Sequence, residues 1–192
     1  ILFFILGFRH SVSYVGENGI AKYRIRGDRE GLSKSEVFLF SDAENLFTQR
    51  VRNYANGIYT GTRYTYKWTD ALGTPLLKLG GSYQSKTDTP KAGDAFYLAA
   101  GAEQAWTDRK TAEALERIKR DGYVEFPVGK GNTVVAGPDY LEFRFGKRNE
   151  RRPFSELKKL DLSDGVFCIE SSEAKLLGRK GKFRFPYARM AN

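Results

Sequence analysis

Two stretches of the chain carry the same signals in the same order. Phe40-Ser41-Asp42 is followed by Leu46 and then by Asn56-Gly57-Ile58-Tyr59. Phe154-Ser155-Glu156 is followed by Leu160 and then by Asp164-Gly165-Val166-Phe167. A Gly-bounded alternating run precedes each, Ile20 to Gly27 in the first and Leu141 to Gly146 in the second. Equal order with unequal spacers predicts an internal duplication of a strand–turn–strand unit. Such a unit limits the architecture to a β-rich one and specifies no chemistry.

The rest of the chain fits that frame. Ile20 to Arg26 alternates apolar and basic residues, and Val37 to Phe40 is a short apolar run; both predict strands. Arg50 to Tyr54 alternates again, and Asn56-Gly57 supplies the left-handed conformations of a tight hairpin turn. Ile58 to Trp68, aromatic and β-branched, predicts a long strand, with a return strand from Leu76 to Tyr83. Asp94 caps an expected helix running to about Arg120 and stopping at Asp121-Gly122. Further strands are expected over Tyr123–Val128, Thr133–Ala136, Tyr140–Phe145, Val166–Ile169 and Lys180–Phe185, with Lys147–Arg152 as a loop. The expected class is α+β, mainly antiparallel β with one long helix.

Composition narrows the chemistry. The single cysteine, Cys168, excludes an intramolecular disulfide framework, and one histidine, His10, leaves no Cys/His metal cluster to build. Cys168 lies in a strand-like run and reads as a small buried side chain. A net charge of +9 in 192 residues directs the chain toward anionic surfaces: acidic headgroups, phosphate backbones or acidic proteins.

The opening run Ile1-Leu2-Phe3-Phe4-Ile5-Leu6-Gly7-Phe8 is too short to span a bilayer, which takes about 20 apolar residues. It reads as the end of a transmembrane helix, as a buried strand, or as the core of a signal peptide. The signal-peptide reading has neither a basic segment before it nor a small-residue cleavage site after it. Under the membrane-helix reading, Arg9, Lys22, Arg24 and Arg26 place the domain on the cytoplasmic side. At the far end, Pro186 would sit at a strand-to-helix junction with the closing helix missing. The expected organisation is a membrane-helix end over 1–10, a β unit plus helix over 11–122, and a second β unit over 123–192.

The Gly-x-x-Gly-Ile opening at Gly16 to Ile20, the Phe-Ser-acid segments and the closing Phe-Pro-Tyr-Ala-Arg-Met-Ala-Asn resemble bacterial proteins that carry a pleckstrin-homology-like domain on a membrane helix. The resemblance implies a bent antiparallel sheet or partly open β-barrel closed by a helix. It carries over no catalytic residue. Phosphoinositide-binding members of the wider class use a basic strand–loop–strand, and Lys22, Arg24 and Arg26 hold a loosely similar place without the specific pattern.

Candidate sites follow from charge. From Glu142 to Arg189 cations outnumber acids, most densely at Lys147-Arg148-Asn149-Glu150-Arg151-Arg152. Lys147, Arg148, Arg151 and Arg152, with Lys22, Arg24 and Arg26, form the expected anionic-surface contact; the bland alternative is a solvated loop with scattered cations. A second candidate is the strand carrying Tyr59, Arg63, Tyr64, Tyr66, Lys67 and Trp68, as a stacking platform for single-stranded nucleic acid or as a wall of the core. Gly129-Lys130-Gly131 lacks phosphate-loop spacing and reads as a turn. No pair of acids adjoins a histidine, so no catalytic residue, metal or cofactor is expected. The expected function is a non-enzymatic, membrane-proximal module binding anionic lipid or an acidic protein surface. Nucleic acid is the weaker alternative, and no small-molecule substrate is expected.

Overall fold

The computed structural model describes residues 9–26, 32–85, 89–163, 165–174 and 180–187. The chain divides into two compact units, Ile1–Arg109 and Lys110–Asn192. The division falls inside the long helix, α1 (Phe96–Asp121), earlier than the expected boundary after residue 122.

In the first unit β1 (Arg9–Gly16), β2 (Gly19–Arg26) and β3 (Leu32–Leu39) form an antiparallel meander. A single 3-10 turn, Phe40–Asp42, then leads into a second meander of β4 (Asn45–Ala55), β5 (Ile58–Thr69) and β6 (Pro75–Tyr83). Asn56 and Gly57 take φ of 50° and 79°, both left-handed, as a two-residue hairpin between β4 and β5 requires. Gly19 is needed for a different reason. A Cβ there would run into the Phe38 carbonyl oxygen across the β2–β3 pair. At α1, Asp94 Oδ1 accepts from the Phe96 N–H at 2.8 Å, the expected cap.

Alternation along these strands assembles one aromatic core. Leu46, Tyr64, Tyr66 and Trp68 from the second meander meet Ile20, Phe40 and Ala43, and Phe96, Ala99, Ala102 and Trp106 of the helix cover them. Phe40 stacks on Trp68 at 6.2 Å and meets Trp106 edge-on at 5.8 Å. Phe40 therefore belongs to the core, which gives the Phe-Ser-acid segment a packing reason: its aromatic ring anchors the turn between two sheets.

The second unit opens with a sheet of four strands where the first opens with three. β7 (Val124–Gly129), β8 (Asn132–Ala136), β9 (Tyr140–Phe145) and β10 (Arg148–Pro153) form a four-stranded meander. The 3-10 turn Phe154–Glu156 follows, then β11 (Leu157–Ser163), β12 (Val166–Ser171) and β13 (Lys182–Pro186). Val128, Val134, Phe143, Ile169, Phe183 and Phe185 form its core. Phe154 of this 3-10 turn is half exposed, whereas Phe40 of the turn in the first unit is buried.

Several expectations are corrected. Among the described residues no helix is long and apolar enough to cross a membrane, so the expected transmembrane helix is not found there. The 26 residues of α1 are long enough, but Glu103, Asp108, Arg109, Lys110, Glu113, Glu116 and Arg117 interrupt any apolar run. Arg9 and His10, assigned above to the end of a membrane helix, are strand residues paired with Arg26 and Ile25; Ile1–Phe8 lie outside the described residues. No closed β-barrel forms among the described residues either, since their strands make four separate open sheets of three or four strands. Lys147–Arg152 is not a loop: Gly146 and Lys147 make a turn, and Arg148 begins the return strand β10, in register with Phe145. Ala188–Asn192, where a closing helix is expected to begin, lie outside the described residues.

Candidate functional site

The expected cations separate by what they touch. On β10, Arg148 is ion-paired with Glu150, donates to the Lys182 carbonyl at 3.3 Å and lies 4.7 Å above the Phe183 ring. Arg152, with a side chain only 14% exposed, reaches Glu150 at 2.9 Å, Glu173 at 3.0 Å and Glu156 at 3.5 Å. Arg151 meets Glu142 at 3.0 Å and lies 4.0 Å over Tyr140. Glu142 is buried, and its second oxygen takes Arg144 at 2.7 Å. Hydrogen bonds from these two guanidiniums hold the Glu142 carboxyl below the usual carboxylate range. Arg148, Arg151 and Arg152 are thus committed to carboxylates, while Lys147 stands exposed in the turn. In the first unit Arg24 pairs with Glu36 at 3.6 Å, Lys22 is exposed opposite Glu36 in the register, and the Arg26 side chain lies outside the described residues.

The aromatic strand β5 resolves in favour of a core wall. Tyr64, Tyr66 and Trp68 are 4%, 3% and 0% exposed. A period of two then turns Arg63, Thr65 and Lys67 to the opposite face. On that outer face Lys67 is directly opposite Lys78 of β6, and Arg63 is opposite Ser82. Like charges facing each other across a sheet are unfavourable by a few tenths of a kcal/mol or more. Among the described residues neither Arg63 nor Lys78 has an ion-pair partner, and Lys67 rests 5.1 Å over the Phe47 ring. Between Arg63 and Lys78 the glycines Gly80 and Gly81 leave a recess of about 520 Å³, edged by Thr65 and Ser82.

Arg63 and Lys67 were readable in the sequence by one signal that charge density along the chain hides. Asn45 to Thr69 holds Arg50, Arg52, Arg63 and Lys67 with no Asp or Glu at all. The β10 stretch is denser in cations but carries its own acid, Glu150.

One polar cluster borders the aromatic core. The Tyr66 hydroxyl hydrogen-bonds with Arg50 and Glu103. Burial first, and the Glu103 charge second, push the Tyr66 pKa up to about 12, against the opposing pull of Arg50. Burial likewise raises the Glu103 carboxyl. A phenol raised on folding favours the native state fully below its unfolded pKa near 10 and loses that contribution as pH climbs toward 12. Tyr66→Phe removes this ionisation. Solvent screening near the hydroxyl trims the full conversion of the shift into stability. Between pH 9 and 12 the wild type should therefore lose about 1–2 kcal/mol more stability than the variant, by chemical denaturation at each pH. Equal losses would sink the assignment.

The remaining candidates are quiet. Gly129, Lys130 and Gly131 all have positive φ in the β7–β8 turn, as expected of a turn. Cys168 is half-buried in β12. Among the described residues no group of three His, Cys, Asp or Glu is placed to hold a metal ion. Neither protein-family models nor curated proteins give a match to this chain.

Proposed function

We propose that the chain is a non-enzymatic docking module for an anionic lipid surface, built from two pleckstrin-homology-like units. Support for the architecture comes from the shared order of elements: a meander, a Phe-Ser-acid 3-10 turn, then a three-stranded meander, in each unit. Support for the function comes from one observation above all. Lys67 and Lys78 face each other across β5 and β6, with Arg63 on the same face, and no acid of either strand stands between them. A bound anion relieves that repulsion, whereas a merely solvated face gains nothing from it. Exposed Lys22 and Lys147 add positive charge, while Arg148, Arg151 and Arg152 act chiefly through their carboxylates. Docking is electrostatic, and no bond is made or broken. Burial of Tyr64, Tyr66 and Trp68 removes the stacking surface that a nucleic-acid reading requires.

Flotation with neutral and with anionic liposomes, at low and physiological salt, tests this. The chain should float with anionic vesicles only, and less as salt rises. Each cation near the surface contributes about 1 kcal/mol, so Arg63→Gln, Lys67→Gln and Lys78→Gln together should weaken binding about 100-fold. Binding to neither vesicle, or binding that the triple substitution leaves unchanged, would overturn the proposal; the first outcome would redirect the search to an acidic protein.

A further inference from the structure

The sheet that carries these cations has an unsupported end. The last β5–β6 pair is Thr62 with Tyr83, yet β4 and β5 continue together from Asn53 and Gly61 to the Asn56-Gly57 turn. At about 3.3 Å per residue this two-stranded ribbon projects roughly 10 Å past the third strand. Its residues are not those of a solvated turn. Ile58 is 71% exposed and Tyr54 is 59% exposed, and Val51, on the same strand as Tyr54, is exposed as well.

The ribbon keeps its shape without burying these groups. Tyr54 and Tyr59 pack edge-on at 5.9 Å across the strands. The Tyr59 hydroxyl lies 2.8 Å from Thr62 Oγ1, and Thr60 Oγ1 donates to the Asn53 carbonyl at 3.1 Å. Isolated two-stranded ribbons are marginal in water, so cross-strand pairs of this kind matter to its order. Apolar and aromatic groups at the tip, cations behind them and no acid from Asn45 to Thr69 together match a bilayer interface: acyl boundary outward, headgroup phosphates behind.

We infer that the β4–β5 ribbon is an interfacial insertion element, seating Ile58 and Tyr54 at the headgroup–acyl boundary of an anionic bilayer while Arg63 and Lys67 meet the phosphates. This rests on the docking function proposed above and adds its mode: penetration by a named tip instead of purely electrostatic contact. A penetrating tip reaches about 5–10 Å into the interface.

The test uses the full chain with Ile58→Trp. The native Trp68 and Trp106 are both fully buried, so they supply a steady background. With anionic vesicles the new indole should shift to shorter wavelength and be quenched by bromine-labelled acyl chains. Ile58→Ser should lower partitioning about tenfold while the melting temperature stays put, since Ile58 is 71% exposed and takes no part in the Tyr54–Tyr59 pair. Three results overturn the inference. In the first, emission from the introduced indole stays water-like and unquenched although vesicle binding persists and still depends on Arg63, Lys67 and Lys78, which sinks insertion and leaves docking intact. In the second, the serine variant binds vesicles like the wild type but loses concentration-dependent self-association, which makes the tip a contact between copies. In the third, the wild type does not bind anionic vesicles at all, which removes docking and insertion together.

Discussion

Trp68→Ala should cost the first unit about 3–5 kcal/mol, a large part of the roughly 5–15 kcal/mol that holds a typical domain folded. Trp68 is fully buried and stacks on Phe40 at 6.2 Å and on Tyr66 at 6.5 Å, with Phe38 edge-on at 5.9 Å. Removing the indole leaves a cavity that three aromatic rings from three different segments, each held by its own backbone, cannot collapse to fill. Both tryptophans of the chain lie in this core, so in the variant the emission of Trp106 alone follows unfolding of the first unit in denaturant. Trp68→Phe separates area from hydrogen bonding. Among the described residues Trp68 Nε1 has no acceptor although it is buried, so replacing the indole by phenyl sacrifices volume but relieves an unmet donor. That variant should lose less than half as much as the alanine. A loss below about 1 kcal/mol for Trp68→Ala would contradict the packing described here.

In the second unit the corresponding expectation is Phe143→Ala, also about 3–5 kcal/mol. Phe143 of β9 is fully buried and lies face to face with Phe183 of β13, ring centroids 3.6 Å apart and planes within 7°. Phe145 meets both rings edge-on, at 6.0 Å from Phe143 and 6.3 Å from Phe183. This cluster ties the four-stranded sheet to the three-stranded one within the unit, so its loss should loosen both. Tryptophan emission does not report on this core, which contains none. Hydrogen exchange of the β9 and β13 amides is the readout: protection there should fall by about two to three orders of magnitude. The Arg148 guanidinium over Phe183 supplies a check. Arg148→Met keeps most of the covering aliphatic area but gives up the Glu150 pair, and should cost much less than Phe143→Ala. Unchanged protection in Phe143→Ala would show that the two sheets are held together by something other than this stack.

Much of the fold was legible one element at a time. Alternation from Ile58 to Trp68, the Asn56-Gly57 turn and the Asp94 cap each act over a few residues, and each structure they predict is present. The strands missed were β1, β10 and β11. Arg9 and His10 read as the end of a membrane helix because they follow the opening apolar run, Arg148 to Arg152 beside Pro153 as a loop because every residue there is charged or polar, and in Leu157 to Ser163 a bulge between Leu157 and Lys159 breaks the alternation. What makes them strands is a neighbour: β2 for β1, β9 for β10 and β12 for β11.

The candidate site shows the same division. Cation density pointed to Lys147–Arg152, but Glu150 lies within the stretch, and Glu142, Glu156 and Glu173 come to it through the register of β9 and β10 and the turns that follow. Arg63 and Lys78, without an ion-pair partner among the described residues, lie on adjacent strands, and Lys67 faces Lys78 only because the β5–β6 register sets them opposite. Sequence by itself determined the β-rich class, the helix and its cap, the hairpin turn and the alternation that buries Tyr64, Tyr66 and Trp68, because each depends on contacts within a few residues. Tertiary structure decided which charges cancel, which remain bare and which apolar tip stays uncovered, because charge pairing and burial depend on what the other strands bring alongside.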